Sequence, residues 1–181
     1  MLATPAEAVA ALVGRHQSVA ACESITGGMI CAALTSVAGS SQVVRGGLVT
    51  YATDLKSSLA RVDAELIEES GVVSAAVAEA MAEGARQVCR ADWGIGVTGV
   101  AGPGPADGVP AGIVWLAVVG PDQRMVVQLV LDGDRGAIRQ QVVDESLGLL
   151  CQILDESQPR TATLSQDTLD IAGQWQPGRV E

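Results

Sequence analysis

Three side chains that could take part in proton transfer or nucleophilic attack each occur once in this sequence: His16, Tyr51 and Lys56. One histidine and four dispersed cysteines cannot form a histidine-rich or four-cysteine metal site within one chain. A serine–histidine–aspartate triad would need His16, which follows Arg15 where the first predicted helix ends and is expected at the surface. A serine nucleophile here would therefore need lysine or tyrosine as its proton acceptor.

Lys56 is the candidate for that acceptor, because a lysine can take a proton from serine once burial or a neighbouring cation lowers its pKa. The turn Gly39-Ser40-Ser41 comes shortly before Tyr51 and Lys56, which lie on either side of a predicted junction between a strand and a helix. A solvated lysine on a helix surface is the alternative interpretation, since lysine side chains are mostly exposed.

A second group of candidates follows segment 18–22, where a buried strand is predicted to end and a helix to begin. Ser24, Thr26, Gly27 and Gly28 lie at this junction, where α/β sheets commonly bind ligands, and free N–H groups at a helix start suit an anion. The two hydroxyl side chains could instead cap the helix. The segment is neither a Walker A loop nor a G-x-G-x-x-G dinucleotide fingerprint.

A third group lies at the end of the next apolar strand, in a segment rich in glycine and proline. Thr98 offers a hydroxyl there, and Gly99, Ala101 and Gly102 follow it. Glycines allow the main chain to approach a ligand closely, although such a segment can also be a simple turn.

Two arginines near the start of the last predicted helix are further candidates. Arg135 precedes the first turn and Arg139 lies one turn inside it. Either guanidinium could bind a phosphate or pair with the adjacent acids Asp132 and Asp134, and the pairing is the simpler expectation.

The elements that must position these residues follow from hydrophobic periodicity and turn residues. Thr4-Pro5-Ala6-Glu7 is a capping box that starts a helix, with proline at the first helical position. Ser74 caps a long alanine-rich helix to Arg90, and its apolar face is expected to cover a sheet. The remaining predictions are buried strands at 18–22 and 93–98, a helix from 27 to 37, a β-ribbon or bent strand around Gly46-Gly47, short helices at 54–61 and 63–70, a hairpin of strands at 113–119 and 124–131, and a final helix at 135–155.

This order of elements predicts an α/β fold. Helices and strands alternate early and a hairpin follows late, which favours a three-layer α/β/α sandwich with a mixed β-sheet. A chain of 181 residues suits one domain, predicted here as residues 1–155. The polar segment 156–181 is predicted to be a partly disordered tail with at most one short helical turn, near 164–171.

Charge and composition limit the partners. A formal net charge of −10 repels a polyanion, so nucleic acid is not an expected partner, whereas a small anionic substrate is not excluded.

The absence of a C-x-x-C pair fits a reducing compartment. Neither a signal peptide nor a membrane span is recognisable, which predicts a cytoplasmic protein without a membrane partner. The apolar face of the alanine-rich helix leaves room for a homo-oligomer.

Several linked motifs resemble the CinA C-terminal-domain family, also called nicotinamide-nucleotide amidohydrolases. The likeness covers roughly residues 6–154. It is carried by ACESITGG at 21–28, GSS at 39–41, RGGLVTY at 45–51 with Lys56, GVVS at 71–74, and TGVAGPG at 98–104 leading to PAG at 110–112. Ile25 and the segment 104–107 depart from the family pattern, and neither departure removes a hydroxyl or the lysine.

The resemblance implies conversion of nicotinamide mononucleotide and water to nicotinate mononucleotide and ammonia, without a metal or cofactor, in pyridine-nucleotide recycling. It implies a catalytic group of Ser41, Tyr51, Lys56 and Thr98, in which Ser41 is the nucleophile or orients water, and Tyr51 and Lys56 transfer protons. Ser24 is the rival nucleophile. The substrate-binding residues that it implies are Thr26, Gly27, Gly28, Gly46, Thr98, Gly99, Ala101, Gly102 and Arg139.

Two other functions remain open at this point. The first is a non-catalytic nucleotide-binding or scaffold module linked to competence or DNA-damage response, in which the same glycine loops hold a phosphate. The second is hydrolysis of a different pyridine or pyrophosphate nucleotide. Binding without product formation would indicate the module, and a substrate panel would identify the other hydrolase.

Overall fold

The computed structural model describes residues 3–157. The predicted tail from residue 158 onward, with its suggested helical turn near 164–171, lies outside the described residues. The elements in chain order are α1 (Pro5–Arg15), β1 (Val19–Glu23), α2 (Met29–Thr35), a 3-10 turn (Ser40–Gln42), β2 (Val44–Val49), α3 (Thr53–Ser58), α4 (Ala64–Ser70), α5 (Ala75–Cys89), β3 (Trp93–Gly99), β4 (Ile113–Val119), β5 (Arg124–Val130) and α6 (Arg135–Glu156).

The five strands form one mixed sheet in the order β2-β1-β3-β4-β5. Strands β2, β1 and β3 are parallel, while β4 and β5 add an antiparallel hairpin to the β3 edge. Helices α1, α2 and α6 pack together and cover one face, and α5 covers the other. The predicted three-layer α/β/α sandwich with a mixed sheet is confirmed.

The α5 helix approaches the sheet unusually closely. A Cβ atom added at Gly96 would lie 2.2 Å from the main-chain oxygen of Ala78, and one added at Gly94 would lie 1.9 Å from that of Ala82. Any side chain at these positions of β3 would collide with helix backbone, so the two glycines let α5 lie directly on the sheet. This close packing fits a core built without phenylalanine.

Capping residues and glycines in the sequence predicted most helix ends correctly. Thr4 and Glu7 form the predicted capping box, and the Ser74 hydroxyl accepts a hydrogen bond from the Val77 N–H at the start of α5. Gly71 follows α4 as its predicted end. The second helix is shorter than predicted, because Gly27 and Gly28 have positive φ and α2 begins at Met29.

The segment predicted as a β-ribbon or bent strand around residues 46–47 is the edge strand β2. Its pairing with β1 has one register shift, between Val19 and Ala20. Arg45 is the residue that this shift leaves without a partner, and Gly46 next to it has positive φ. Gly47 makes room, since a Cβ atom on it would lie 2.1 Å from the Sγ atom of Cys31. Because β2 spans the sheet from Val44 to Val49, the residues before and after it lie at opposite edges.

Strand direction therefore determines which loops meet. Glu23 of β1 pairs with Val49 of β2 and with Val97 of β3, so the loops after these three parallel strands emerge at one edge of the sheet, the carboxyl edge. The opposite, amino edge carries the segments that enter the same strands. Within residues 3–157, no helix combines the length and apolarity that a membrane crossing requires.

Candidate active site

A cavity of about 450 Å³ opens at the carboxyl edge of the sheet, between the loops that follow β1, β2 and β3 and the start of α6. This volume lies in the range of small-molecule sites. Its wall combines hydroxyl, lysine, arginine and main-chain groups. The lining residues used below are Ser24, Tyr51, Lys56, Thr98, Gly99, Ala101, Gly102 and Arg135.

Ser24 and Lys56 meet in this cavity. Ser24 is the first residue after β1, and its N–H donates a hydrogen bond to the Val97 carbonyl, which fixes it beside β3. The Lys56 Nζ atom lies 3.2 Å from the Ser24 Oγ atom and 2.9 Å from the Thr50 carbonyl oxygen. A serine hydroxyl in hydrogen-bond contact with a lysine amine is an arrangement that can activate a nucleophile.

Lys56 is buried, with 1% of its surface exposed, although it lies on the short surface helix α3. Burial lowers the pKa of Lys56, an effect that Cys22 and Asp54 partly oppose. The buried position contradicts the alternative of a solvated lysine on a helix surface. A lysine with a lowered pKa spends more of its time as the neutral amine, which is the form that accepts a proton.

The N–H groups at the start of α2 are already occupied by a protein carboxylate. Glu23, the last residue of β1, is 1% exposed, and its carboxylate accepts hydrogen bonds from the N–H groups of Gly28, Ile30 and Cys31 at 2.9–3.1 Å. The expectation that this helix start offers free N–H groups to an anion is therefore wrong, and so is the alternative that Ser24 or Thr26 caps it.

Thr26, Gly27, Gly28 and Arg139 lie next to the cavity but do not line it. Arg139 donates hydrogen bonds to the carbonyls of Ile25 at 3.0 Å and Thr26 at 2.7 Å, so it anchors the loop between β1 and α2 rather than facing a ligand. Thr26 is fully buried, and its hydroxyl has no partner among the described residues. These residues shape the loop that carries Ser24.

The segment after β3 forms the opposite wall. Thr98 is buried, and its hydroxyl donates to the Val72 carbonyl at 2.8 Å, while Gly99, Ala101 and Gly102 contribute mainly backbone to the cavity. The Gly102-Pro103 peptide bond is cis. The main-chain N–H groups of Ala101 and Gly102 make no hydrogen bond to another residue in the described part of the chain.

Arg135 crosses the mouth of the cavity, where it could bind a phosphate as the sequence suggested; the pairing with Asp132 or Asp134 that was the simpler expectation is not formed among residues 3–157. Its Nη1 atom donates to the Gly102 carbonyl and its Nη2 atom to the Tyr51 hydroxyl, both at 2.9 Å. Tyr51 is 59% exposed, so its ring lies at the rim rather than beside the Ser24 hydroxyl.

Ser41 and Gly46 are not part of the cavity. Ser41 is exposed in the 3-10 turn before β2, whereas Tyr51 and Lys56 follow β2, so the length of that strand separates them. The prediction that Ser41 converges with Tyr51 and Lys56 is wrong, because β2 runs across the sheet between them and places them at opposite sheet edges. Gly46 lies inside β2, where its carbonyl accepts from the Cys31 thiol.

The remaining reactive side chains lie elsewhere. His16 is exposed and ends α1 with a left-handed conformation, as expected for a surface residue. All four cysteines are free thiols. Among residues 3–157, no group of three or more histidine, cysteine, aspartate or glutamate side chains is arranged to hold a metal ion.

The sequence and the fold agree on one family. A model of the CinA C-terminal domain matches residues 2–154 of the chain. This chain belongs to the CinA C-terminal-domain family. The match covers every strand of the sheet and every residue that lines the cavity.

Curated relatives include the CinA-like protein of Synechococcus sp. (strain RCC307), which is 53% identical over 112 residues, or 61% of this chain and 27% of that protein. The CinA-like protein of Anaeromyxobacter dehalogenans (strain 2CP-C) is 47% identical over 143 residues, or 78% of this chain and 35% of that protein. The chain thus matches about a quarter to a third of the length of these relatives.

Solved structures of similar length share the fold. A CinA superfamily protein from Klebsiella pneumoniae 700603 has a TM-score of 0.81 at 31% identity, covering 84% of this chain and 96% of that one. The competence/damage inducible protein CihA from Agrobacterium tumefaciens has a TM-score of 0.76 at 34% identity, covering 86% of this chain and 99% of that one. The CinA C-terminal fold thus accounts for nearly the whole of these solved chains.

Proposed function

We propose that this domain is an amidohydrolase that converts nicotinamide mononucleotide and water to nicotinate mononucleotide and ammonia, with Ser24 as nucleophile and Lys56 as its base. The observation that supports this most directly is the 3.2 Å contact between the Lys56 amine and the Ser24 hydroxyl in a cavity of substrate size. The motifs of the sequence resemble the nicotinamide-nucleotide amidohydrolases, which supplies the substrate class.

The reaction follows from the position of the two side chains. The neutral Lys56 amine accepts the Ser24 hydroxyl proton while the oxygen attacks the carboxamide carbon of the substrate. The Lys56 ammonium then gives this proton to the departing nitrogen, ammonia leaves, and an acyl-serine ester remains. Water, deprotonated by Lys56, attacks the ester carbon, and Lys56 gives that proton to the Ser24 oxygen as its bond to the acyl carbon breaks, which releases the nicotinate product and restores both side chains.

Backbone donors would stabilise the tetrahedral intermediates. Ala101 and Gly102 line the cavity and have main-chain N–H groups without a partner in the described part of the chain. One well-placed donor contributes about 3 kcal/mol to stabilising such an oxyanion. The glycine loop after β3 is therefore assigned as the oxyanion-binding element.

Arg135 supplies the positive charge for the substrate phosphate. It is exposed at the mouth of the cavity, and its two hydrogen bonds to Tyr51 and Gly102 hold the guanidinium across the opening. Arginine binds phosphate oxygens through two parallel donors, which suits a nucleotide entering with its pyridine ring directed toward Ser24. The net charge of −10 makes this local cation more important for attracting an anionic substrate.

Release of ammonia from nicotinamide mononucleotide by the purified protein tests the proposal, with Lys56→Met as the decisive variant. Methionine keeps an unbranched apolar stem but has no amine, so we expect kcat to fall by at least roughly 10²-fold, the scale of general base catalysis. Arg90→Met, a cation removed at the opposite edge of the sheet, is the matched control and should retain activity. Equal activity in Lys56→Met and the control would disprove the role of Lys56.

Trapping of the intermediate provides a second test. Acid quenching during turnover should leave an acyl adduct on the peptide that contains Ser24, detectable by mass spectrometry, and none on the peptide that contains Ser41. Binding of nicotinamide mononucleotide without ammonia or adduct would instead indicate a nucleotide-binding module.

A further inference from the structure

Lys56 is held in place by Thr50, which was not among the candidate site residues. Its Nζ atom has two hydrogen-bond partners, the Ser24 hydroxyl at 3.2 Å and the Thr50 carbonyl at 2.9 Å. A neutral amine has two N–H donors and one lone pair, and a carbonyl oxygen can only accept. The Thr50 carbonyl therefore engages one N–H group of the amine, which fixes Nζ within hydrogen-bond distance of the Ser24 Oγ atom.

Thr50 is itself fixed to the strand that carries the nucleophile. It is fully buried just after β2, and its N–H donates to the Glu23 carbonyl at 2.9 Å. Its hydroxyl lies 3.3 Å from the Sγ atom of Cys22, which is also fully buried. Both anchors belong to the two residues that precede Ser24, so the base and the nucleophile are positioned from one rigid segment of β1.

The thiol at this position is compatible with a neutral lysine. Burial raises the pKa of Cys22 to about 11, so the thiol carries no charge near neutral pH. A carboxylate in its place would pair with the Lys56 ammonium and raise its pKa, which would remove the base. A neutral side chain that can form a hydrogen bond, such as the Cys22 thiol, holds Thr50 without raising the pKa of Lys56.

We propose that Thr50 and Cys22 are positioning residues for Lys56: the buried contact between the Thr50 hydroxyl and the Cys22 thiol fixes the Thr50 carbonyl, which directs the Lys56 amine toward Ser24. This inference rests on the proposed function for its catalytic consequence. The geometric part concerns Lys56 alone and can be measured without turnover.

The chain contains a single lysine, which makes that measurement direct. Protein labelled with ¹³C at the lysine ε position gives one side-chain signal, whose titration reports the Lys56 pKa. Thr50→Val keeps the shape and the carbonyl but removes the hydroxyl, and we expect the loosened amine to reach more water and its pKa to rise toward that of an ordinary lysine. Thr50→Ser keeps the hydroxyl and should restore the low pKa.

Kinetics with nicotinamide mononucleotide provide the second readout. Thr50→Val should lower kcat about tenfold with KM nearly unchanged, since small misplacements of reacting groups can cost up to roughly 10²-fold. Thr50→Ser should recover most of that loss. A structural role alone would not give a kcat loss that the conservative variant rescues.

Cys22→Val and Cys22→Ser repeat the test from the other partner and keep it decisive if Thr50→Val fails to fold. A Lys56 titration that is shifted in the Val variants and restored in the Ser variants supports the positioning role. If the same protein releases no ammonia, the proposed hydrolase activity fails while the positioning role stands. Identical Lys56 titration in the wild type and in every variant that folds would overturn the positioning role.

Discussion

The two edges of the sheet carry similar residue types with different surroundings. At the carboxyl edge, Ser24 meets Lys56 in a cavity of about 450 Å³. At the amino edge, Ser41 lies near a cavity of about 360 Å³ that is lined by His16, Arg45 and Arg90, among others. Both edges thus offer a serine, a cation and space for a ligand.

The burial of their side chains distinguishes the two edges of the sheet. Lys56 is 1% exposed and directed at a serine hydroxyl, whereas His16, Arg90 and Ser41 are exposed. Desolvation lowers the pKa of Lys56 at the carboxyl edge and its amine contacts Ser24, whereas within residues 3–157 no hydrogen bond joins Ser41 to a basic side chain at the amino edge. The comparison teaches that the presence of a serine and a cation is not sufficient, because only packing brings a buried lysine into contact with one of the two serines.

Exchange of the two serines for alanine should give the largest contrast. We expect Ser24→Ala to lower kcat for ammonia release by at least about 10³-fold, because the nucleophile is lost. Ser41→Ala should change kcat less than twofold, since its hydroxyl lies at the other edge. Steady-state kinetics with nicotinamide mononucleotide measure both. The opposite ranking would return the nucleophile to Ser41 and refute the proposed site.

The pH dependence should report the buried lysine. Lys56 acts as the neutral amine, so kcat/KM should fall about tenfold per pH unit as the pH drops below the Lys56 pKa. Because burial lowers that pKa, the acid limb should lie below the usual range of lysine. Arg90→Gln, at the amino edge, should leave the limb in place. A limb at the ordinary lysine value would contradict the assignment of Lys56.

Removal of one arginine from each edge should separate substrate binding from general charge. We expect Arg135→Gln to raise KM about tenfold, since a hydrogen-bonded charge contributes about 1.5 kcal/mol or more. Arg90→Gln removes the same charge at the amino edge and should change KM little. Equal KM increases in both variants would show that net charge, rather than a phosphate contact, attracts the substrate.

Tyr51→Phe should have the smallest effect within the cavity. The hydroxyl accepts from Arg135 at the exposed rim, so its loss should raise KM about two- to threefold, the scale of one net hydrogen bond, with kcat preserved. Kinetic constants of the variant check this expectation. A 10²-fold loss of kcat would instead assign Tyr51 to proton transfer, as the sequence resemblance implied.

The sequence by itself determined the local structure and much of the chemistry. Capping residues such as Thr4 and Ser74 predicted helix starts, and the apolar runs predicted strands, because these signals act within a few residues. The single lysine and single histidine already indicated Lys56 as the candidate base for a serine. The glycine segment after Thr98, which the sequence offered as a ligand-binding loop or a simple turn, lines the cavity.

Only the tertiary structure decided which serine meets that lysine. The direction and span of β2 place Ser41 and Lys56 at opposite edges, while parallel pairing of β1 with β3 brings Ser24 to the cavity. The buried carboxylate of Glu23 at the start of α2 and the reach of Arg135 across the mouth depend on contacts between distant segments. Desolvation of Lys56 likewise arises from packing, which spacing along a chain does not encode.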